Sequence, residues 1–469
     1  MIKFGTDGWR GVIAADFTFA NVTLVTGAIA DFVTAHNLSG RGVVVGYDNR
    51  FLSAQFAETV AGVLGGHGIK VYLARRALPT PVVAFAVKHY NAGGAVMLTA
   101  SHNPPEYNGI KFIPEYAGPA LPEITEEIEE YILRRQRAGA GPAARADGND
   151  SHRELVDPAE AYAAHLLDLI DADTIRKAQL TVVVDPLYGA GIGYLDGLLG
   201  SLGARVSTLH NHRDPLFGGS LPDPSAANLE TLRETVREGG AHLGLGLDGD
   251  ADRLGVIDAD GSYISPNQFL ALVYYHLVTR RGWAGPVART VATTHLVDRI
   301  ARDHGQKVIE TPVGFKFIGQ ALLERDCVVG GEESGGLSLR GHVPEKDGLL
   351  AGMLAVEMVA AHGKSLKDLL REVGDAYGHL CSTRVDIRTA ADQKPVLLER
   401  LRRLAPDRLA GQPVVTRVTV DGTKLVLADG AWVLVRASGT EPVFRVYTEA
   451  HSPAQLVDIQ EAVRQLVDL

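Results

Sequence analysis

The feature that most narrows what this chain can fold into is a pattern that recurs three times before about residue 375. A β-branched strand (RGVVVGYD from Arg41, LTVVVD from Leu180, RTVATTH from Arg289) is followed, after a helix-length interval, by a second short strand (KVYLA from Lys70, ARVSTL from Ala204, KVIETP from Lys307). A third strand then runs into a polar loop containing glycine or proline: MLTASHNPP, GLDGDADR and VGGEESGG. Alternating strands and helices predict α/β domains, and ligand groups in such sheets gather at the carboxyl ends of strands. Three loops in the same position of three similar domains are therefore candidates for one shared site. From about Leu380 the chain changes character. Short strands VTRVTV, KLVLA, WVLVRAS and FRVYTEA precede a helical Ala454 to Leu469, which predicts a smaller α+β domain.

A chain of 469 residues exceeds what one hydrophobic core serves, which agrees with several domains. The segment Gln136 to His152 lacks apolar periodicity and is expected to be the first linker. The boundaries expected are 1–150, 151–258, 259–376 and 377–469. A formal charge of -10 argues against a nucleic-acid surface, because phosphate-backbone binding needs clustered Lys and Arg. Met1 to Arg10 has no apolar leader core. Gly348 to Ala361 is too short to span a membrane, contains Glu357 and reads as a core helix. Only Cys327 and Cys381 occur, so no disulfide framework or all-cysteine metal site is expected and a reducing cytoplasm fits. No membrane partner is expected either.

The loops carry the chemistry. LGLGLDGDADRLGVID sets Asp248, Asp250 and Asp252 alternately between two apolar strands, where three carboxylates can converge on a hard cation and repel one another without it. An EF-hand does not fit, since its glycine position holds Arg253 and its bidentate-glutamate position Ala259; so small a donor set, leaving room for water and phosphate oxygens, favours Mg²⁺ over Ca²⁺. The strand GGAVMLTA delivers Ser101 into a loop followed by His102, Asn103 and two prolines that forbid helix continuation. No G-x-S-x-G occurs, which weighs against an α/β-hydrolase elbow. Near the C-terminus, Arg436, Ser438, Gly439 and Thr440 lie in a turn with Arg445 on the next strand, the donors an anionic phosphate requires.

Three other motifs fail on context. The G-x-G-x-x-G at Gly244 to Gly249 enters the aspartate loop and opens no helix. LYGAGIG follows a strand, but the next strand ends in Leu209, His210 and Asn211 without a ribose-binding acid. HGKSL has Met358 where a phosphate loop needs its first glycine.

Together, FGTDGWRG at Phe4 to Gly11, TASHNPPEYNGIKF at Thr99 to Phe112, DGDADR, GEESGG at Gly331 to Gly336 and RASGTEP resemble the motifs of the α-D-phosphohexomutase superfamily, in that family's order and over essentially the whole chain. The resemblance implies four domains around a central cleft, three alike and the fourth smaller. It implies that Ser101 is a phosphoserine whose phosphate completes a Mg²⁺ site with Asp248, Asp250 and Asp252. Arg10 and Arg253 would neutralise the moving phosphoryl group, and Lys111 is the candidate for proton transfer with the sugar hydroxyl; His102 joins this catalytic set. Glu332 and Ser334 would bind sugar hydroxyls, while Arg436, Ser438, Gly439, Thr440 and Arg445 would hold the phosphate that is not reacting. A hexose 1,6-bisphosphate, such as glucose 1,6-bisphosphate, is implied as intermediate and activator, with a phosphorylated hexose as substrate; the sequence leaves the assembly open between a monomer and a small homo-oligomer.

Within GEESGG, Glu333 stands where dual glucose/mannose members usually carry Met and glucosamine members Gln; an acid there resembles phosphoglucomutases, with phosphomannomutase and phosphoglucosamine mutase as alternatives. Two rivals stand further off. LGLGLDGDAD also resembles the strand-end loop of haloacid-dehalogenase-like phosphatases, but Asp252 replaces that family's Thr or Val and the other loops go unexplained. An inactive sugar-phosphate-binding protein would have no need of Ser101 and the three aspartates.

Overall fold

The computed structural model describes residues 2–5, 7–139, 152–390, 392–438 and 443–467. Three of its sheets repeat one topology. Val43–Tyr47 lies between Val71–Ala74 and Gly94–Leu98, all parallel, and Tyr107–Pro114 returns antiparallel. Thr181–Asp185 likewise lies between Arg205–Thr208 and Leu243–Leu247, with Leu254–Asp258 returning. Val287–Thr290 lies between Val308–Thr311 and Val329–Gly331, with Leu337–Leu339 returning. The central strands are buried because parallel strands are covered on both faces. Val43, Val44 and Val45 and then Val182, Val183 and Val184 form apolar runs, while the third, VART, buries Arg289 against Asp298 and Glu310. The three polar loops occupy the same reversal in each domain, between the last parallel strand and the returning one.

Two sheets recruit strands from beyond the expected boundaries. Arg153–Val156 pairs with Val71–Ala74 in the first sheet although it comes after residue 150, and Tyr263–Ile264 extends the second sheet past residue 258. Both cover an edge that would otherwise present unpaired backbone groups. Trp9–Val12 closes the opposite edge of the first sheet against Tyr107–Pro114. The expected linker begins inside the helix Pro122–Arg137, and its residues 140–151 lie outside the described residues. The predicted strand from Arg289 is also shorter than expected. It ends at Thr290, where the Thr290 hydroxyl accepts from Ala292 N and Thr293 N donates to Thr290 O, turning the chain before the helix Leu296–Asp303.

The fourth sheet is antiparallel, in the order Cys381–Arg388, Val443–Ala450, Trp432–Ala437, Thr423–Leu427, Gln412–Val418 and Arg408–Leu409, and is packed by the helices Lys394–Arg403 and Pro453–Val467. The apolar stretch from Gly348 forms the buried helix Gly348–His362, in which Glu357 is satisfied by Arg281 Nε, His276 Nε2 and Asp171 N. Among the described residues no single helix is long and apolar enough to cross a membrane.

Candidate active site

The serine loop and the aspartate loop meet face to face. Ser101 Oγ donates to Asp248 Oδ2 at 2.7 Å and lies 3.2 Å from His102 Nδ1. The approach is close enough to dictate sequence, since a Cβ at Gly249 would sit 2.6 Å from the Ser101 carbonyl oxygen. Ser101 itself has φ 50, the left-handed region, and its N–H donates to Thr99 Oγ1. From the first domain, Thr80 at the start of the helix Thr80–His89 holds Asp250 twice, N–H to the Asp250 carbonyl and Oγ1 to Oδ2.

Asp248, Asp250 and Asp252 are fully buried, and each offers a carboxylate oxygen within 4.8 Å of the others. Asp250 Oδ1 and Asp252 Oδ1 lie buried without a hydrogen-bond donor. Burial raises the Asp248 carboxyl well above its usual range, and the charges of Asp252 and Asp250 add to the shift. Three clustered, mutually repelling carboxylates, two of them with orphaned oxygens, form a donor set that fits a hard divalent cation.

Lysines supply part of the balancing charge. Lys111 Nζ, 3% exposed, lies 2.9 Å from Asp7, 3.0 Å from Asp250 and 3.2 Å from Asp252. Burial opposes its charge, but Asp250, Asp7 and Asp252 outweigh burial and raise its pKa, which favours the charged ammonium. Lys346 reaches Asp252 at 2.9 Å and Asp7 at 3.2 Å. Beside it Glu345 is buried, with Oε2 lacking a donor, and is pushed up to about 8 by burial and by Asp7. His102 is held neutral by the charge of Arg253, by burial and by Arg10.

Of the remaining expected residues, Arg10 and Arg253 adjoin this centre, Glu332 lies within reach of the charge of Arg253, and Arg436 and Ser438 of the fourth domain find partners on their own domain. Arg10, on Trp9–Val12, donates from Nη1 to Asn103 Oδ1 beside Ser101. Arg253 donates its backbone N–H to Asp248 Oδ1, while its Nε is buried without an acceptor and points its charge toward Asp252, 3.8 Å away. Glu332 accepts from Ser334 Oγ through Oε1 and keeps Oε2 buried and unpaired. In the fourth domain Arg436 lies opposite Arg445 in register and donates to Asp421 Oδ2, and Ser438 O accepts from Lys394 Nζ. Gly439 and Thr440 lie outside the described residues. Sequence reasoning missed Asp7, Arg50, Thr80, Glu345 and Lys346. Asp7 lies inside FGTDGWRG, where a motif could have revealed it, but the others carry no local motif and reach the site only through tertiary packing.

Paired loops presenting a serine hydroxyl to an acidic triad, ringed by Arg and Lys, define a phosphoryl-transfer class of protein. The alpha/beta/alpha domains I, II and III of the phosphoglucomutase/phosphomannomutase family match residues 1–138, 160–261 and 265–377, and that family's C-terminal domain matches 388–466. The chain belongs to the phosphoglucomutase/phosphomannomutase family, whose members are mutases of the phosphohexomutase superfamily. It is 34% identical over 467 residues to the phosphoglucomutase/phosphomannomutase of Thermococcus kodakarensis, covering 99% of this chain and 97% of that protein. It is 32% identical to a probable phosphoglucosamine mutase of Pyrococcus abyssi, with 99% and 97% covered. The crystal structure of a putative phosphomannomutase from Thermus thermophilus superposes with a TM-score of 0.87 at 35% identity, covering 100% and 99% of the two chains. At 16% identity and TM-score 0.59, covering 100% of this chain and 95% of the other, the Aspergillus fumigatus N-acetylphosphoglucosamine mutase shares the fold; that protein was solved with GlcNAc-6P and magnesium.

Proposed function

We propose that this enzyme interconverts hexose 1-phosphate and hexose 6-phosphate through phospho-Ser101 and a hexose 1,6-bisphosphate, with glucose as the preferred hexose. The observation that carries the reading is the 2.7 Å contact between the Ser101 hydroxyl and a buried triad suited to a divalent cation. In the first half-reaction the bond between phosphorus and Ser101 Oγ breaks and a bond to the free sugar hydroxyl forms. The proton of that hydroxyl ends on Oγ, and neutral His102, 3.2 Å from Oγ, is placed to relay it. The bisphosphate then turns end over end, and its other phosphoryl group moves to Ser101 with the reverse proton transfer.

Arg10 and Arg253 neutralise the charge spread over the moving group, which phosphoryl transfer needs more than covalent help. Lys111 and Lys346 hold Asp250 and Asp252 in place. Asp248, Asp250, Asp252 and the phosphate of phospho-Ser101 would hold Mg²⁺, which would draw electron density from the phosphoryl oxygens. Glu332 and Ser334 orient the sugar, and Arg436, Ser438 and Arg445, together with Gly439 and Thr440, hold the distal phosphate in both orientations. Glucose is proposed because an acid at Glu333 resembles the phosphoglucomutases, as a mark of that subgroup and not as a contact with the sugar.

Ser101→Ala removes the covalent carrier from a loop outside the core, so turnover should disappear with the fold intact. Intact-mass measurement should show a phosphate adduct on active enzyme and none on the variant. Turnover by the variant at the unmutated rate, or net release of inorganic phosphate by the wild type, would overturn the reading.

A further inference from the structure

The strand flanked by two parallel neighbours in each α/β domain ends at or just before a polar side chain that accepts the backbone N–H two residues on: Asp48 from Arg50, Asp185 from Leu187, Thr290 from Ala292. Beyond the turn the three domains diverge. In the second domain Asp185 takes up His210, and in the third Thr290 donates to Glu333. In the first, the turn delivers an arginine with no solvent exposure, lying over the Phe217 ring, whose Nε sits 3.3 Å from Asp48 Oδ2.

The other two nitrogens of this guanidinium are committed entirely to the serine loop. Nη2 donates to the carbonyls of Ser101 at 2.5 Å and Asn103 at 2.6 Å; Nη1 donates to those of Pro104 at 2.7 Å and Tyr107 at 3.0 Å. Four carbonyls of one loop thus converge on a single buried cation. Ser101 is buried and Asn103, Pro104 and Tyr107 are half-buried, and each of the four carbonyls gains a charge-assisted donor. The clamp brackets the residue whose backbone is left-handed, and it also fixes Asn103, the acceptor of Arg10.

We infer that Arg50, set by Asp48, is a positioning residue for phosphoryl transfer: it holds the Ser101 hydroxyl and, through Asn103, Arg10 in line for the reaction without touching substrate. This rests on the phosphoserine reading. A lysine can occupy the space but cannot present the planar fork to four acceptors, and displacement of reacting groups by about 1 Å can cost a hundredfold in rate.

The test is the rate at which hexose 1,6-bisphosphate phosphorylates Ser101 in dephosphorylated, Mg²⁺-supplemented enzyme, followed by intact mass and normalised to folded protein. Arg50→Lys should slow this step and kcat together by about a hundredfold with KM changed less than about threefold, and Asp48→Asn should slow both by about tenfold. Val60→Ala, a core change in the helix Ser53–Gly66, should lower the Tm yet phosphorylate at the wild-type rate. If Arg50→Lys fails to fold, Asp48→Asn decides by the same rate. A wild type that accepts no phosphate sinks the phosphoserine reading itself. A phosphorylated wild type with Arg50→Lys or Asp48→Asn keeping pace, or with Val60→Ala losing rate in proportion to its Tm, sinks the clamp alone.

Discussion

The seams among the first three domains and the seam to the fourth are built differently. One continuous buried core joins Val44 and Val82 of the first domain, Leu195 and Leu245 of the second, and Leu270 and Leu350 of the third. The fourth domain has its own core, around Leu425, Phe444 and Ile459, and meets the third across a small cluster of Val291, Ala292, Trp432, Leu434 and Tyr447. Polar links ring that cluster. Lys424 Nζ donates to Val291 O, Trp432 Nε1 and His295 N both donate to Glu449 Oε1, and Asn267 Nδ2 donates to Ser382 Oγ. Apolar burial across a wide seam is lost all at once when it opens, whereas a small polar-ringed seam can exchange its bonds with water. The difference suits the two jobs that the proposed mechanism assigns. There the serine, triad and lysines keep fixed distances and sit on the fused body, while Arg436 and Ser438, proposed to take a phosphate from either end of a sugar, sit on the separately cored domain.

The largest test of this contrast compares two buried leucines. Leu350→Ala and Leu425→Ala should each cost about 2–5 kcal/mol, as such truncations usually do. Leu350→Ala should speed hydrogen exchange through all three α/β domains, and Leu425→Ala only from about residue 380 onward. Exchange accelerated everywhere by Leu425→Ala would show one cooperative unit and end the comparison. Next, Asp250→Asn alters a carboxylate that receives Thr80 of the first domain and Lys111 in the same cleft. Loss of one charge at nearly constant shape should lower Mg²⁺ affinity and cut turnover about a hundredfold, with chelator acting alike on the wild type. A chelated wild type at full rate would remove the metal from the scheme.

Arg436→Ala probes the other side. Its partner Asp421 also accepts Val313 N of the third domain, so this arginine stands at the seam. Removing one charge-assisted donor should weaken hexose 1-phosphate and hexose 6-phosphate by the same factor, about tenfold, read as KM in the two directions of the reaction. Unequal factors would mean that the two orientations do not share this turn, and the reorientation scheme would have to be abandoned.

The parts of this site that were legible in the sequence are those carried by one loop each. Asp248, Asp250 and Asp252 announce themselves because carboxylates interrupt an apolar strand pair, and Ser101 because prolines come soon after it. The threefold strand order was legible for a similar reason, since buried parallel strands are rich in β-branched apolar residues. Arg50 was not. Its role depends on four carbonyls more than fifty residues away, and in sequence it is one arginine after a strand. Lys346 and Glu345 likewise precede an apolar helix and acquire meaning only when the third domain lies against Asp7 and Asp252. The strand Arg153–Val156 was assigned to the wrong side of a boundary because pairing across an edge leaves no trace in local pattern.

The smallest expected effect concerns Glu333, whose acidity suggested glucose as the preferred hexose. Its Oε2 accepts from Thr290 Oγ1 at 2.8 Å and from Thr293 Oγ1 at 3.3 Å, so the carboxylate is tied to the turn after the first strand of its own domain. Its charge is felt across the seam: burial and then Glu333 push the Tyr447 hydroxyl up to about 12. In Glu333→Gln the amide oxygen can still accept from both threonines, so the loop keeps its shape and only the charge goes. The neighbouring Glu332, with Oε2 buried and unpaired, is the acid left to meet a sugar hydroxyl. Glu333→Gln should therefore change the ratio of kcat/KM for glucose 1-phosphate over glucosamine 1-phosphate by no more than about threefold, under about 1 kcal/mol of discrimination. A shift of tenfold or more would place the Glu333 carboxylate on the substrate, and would mean that the sugar loop rearranges away from Thr290 and Thr293 when the sugar binds.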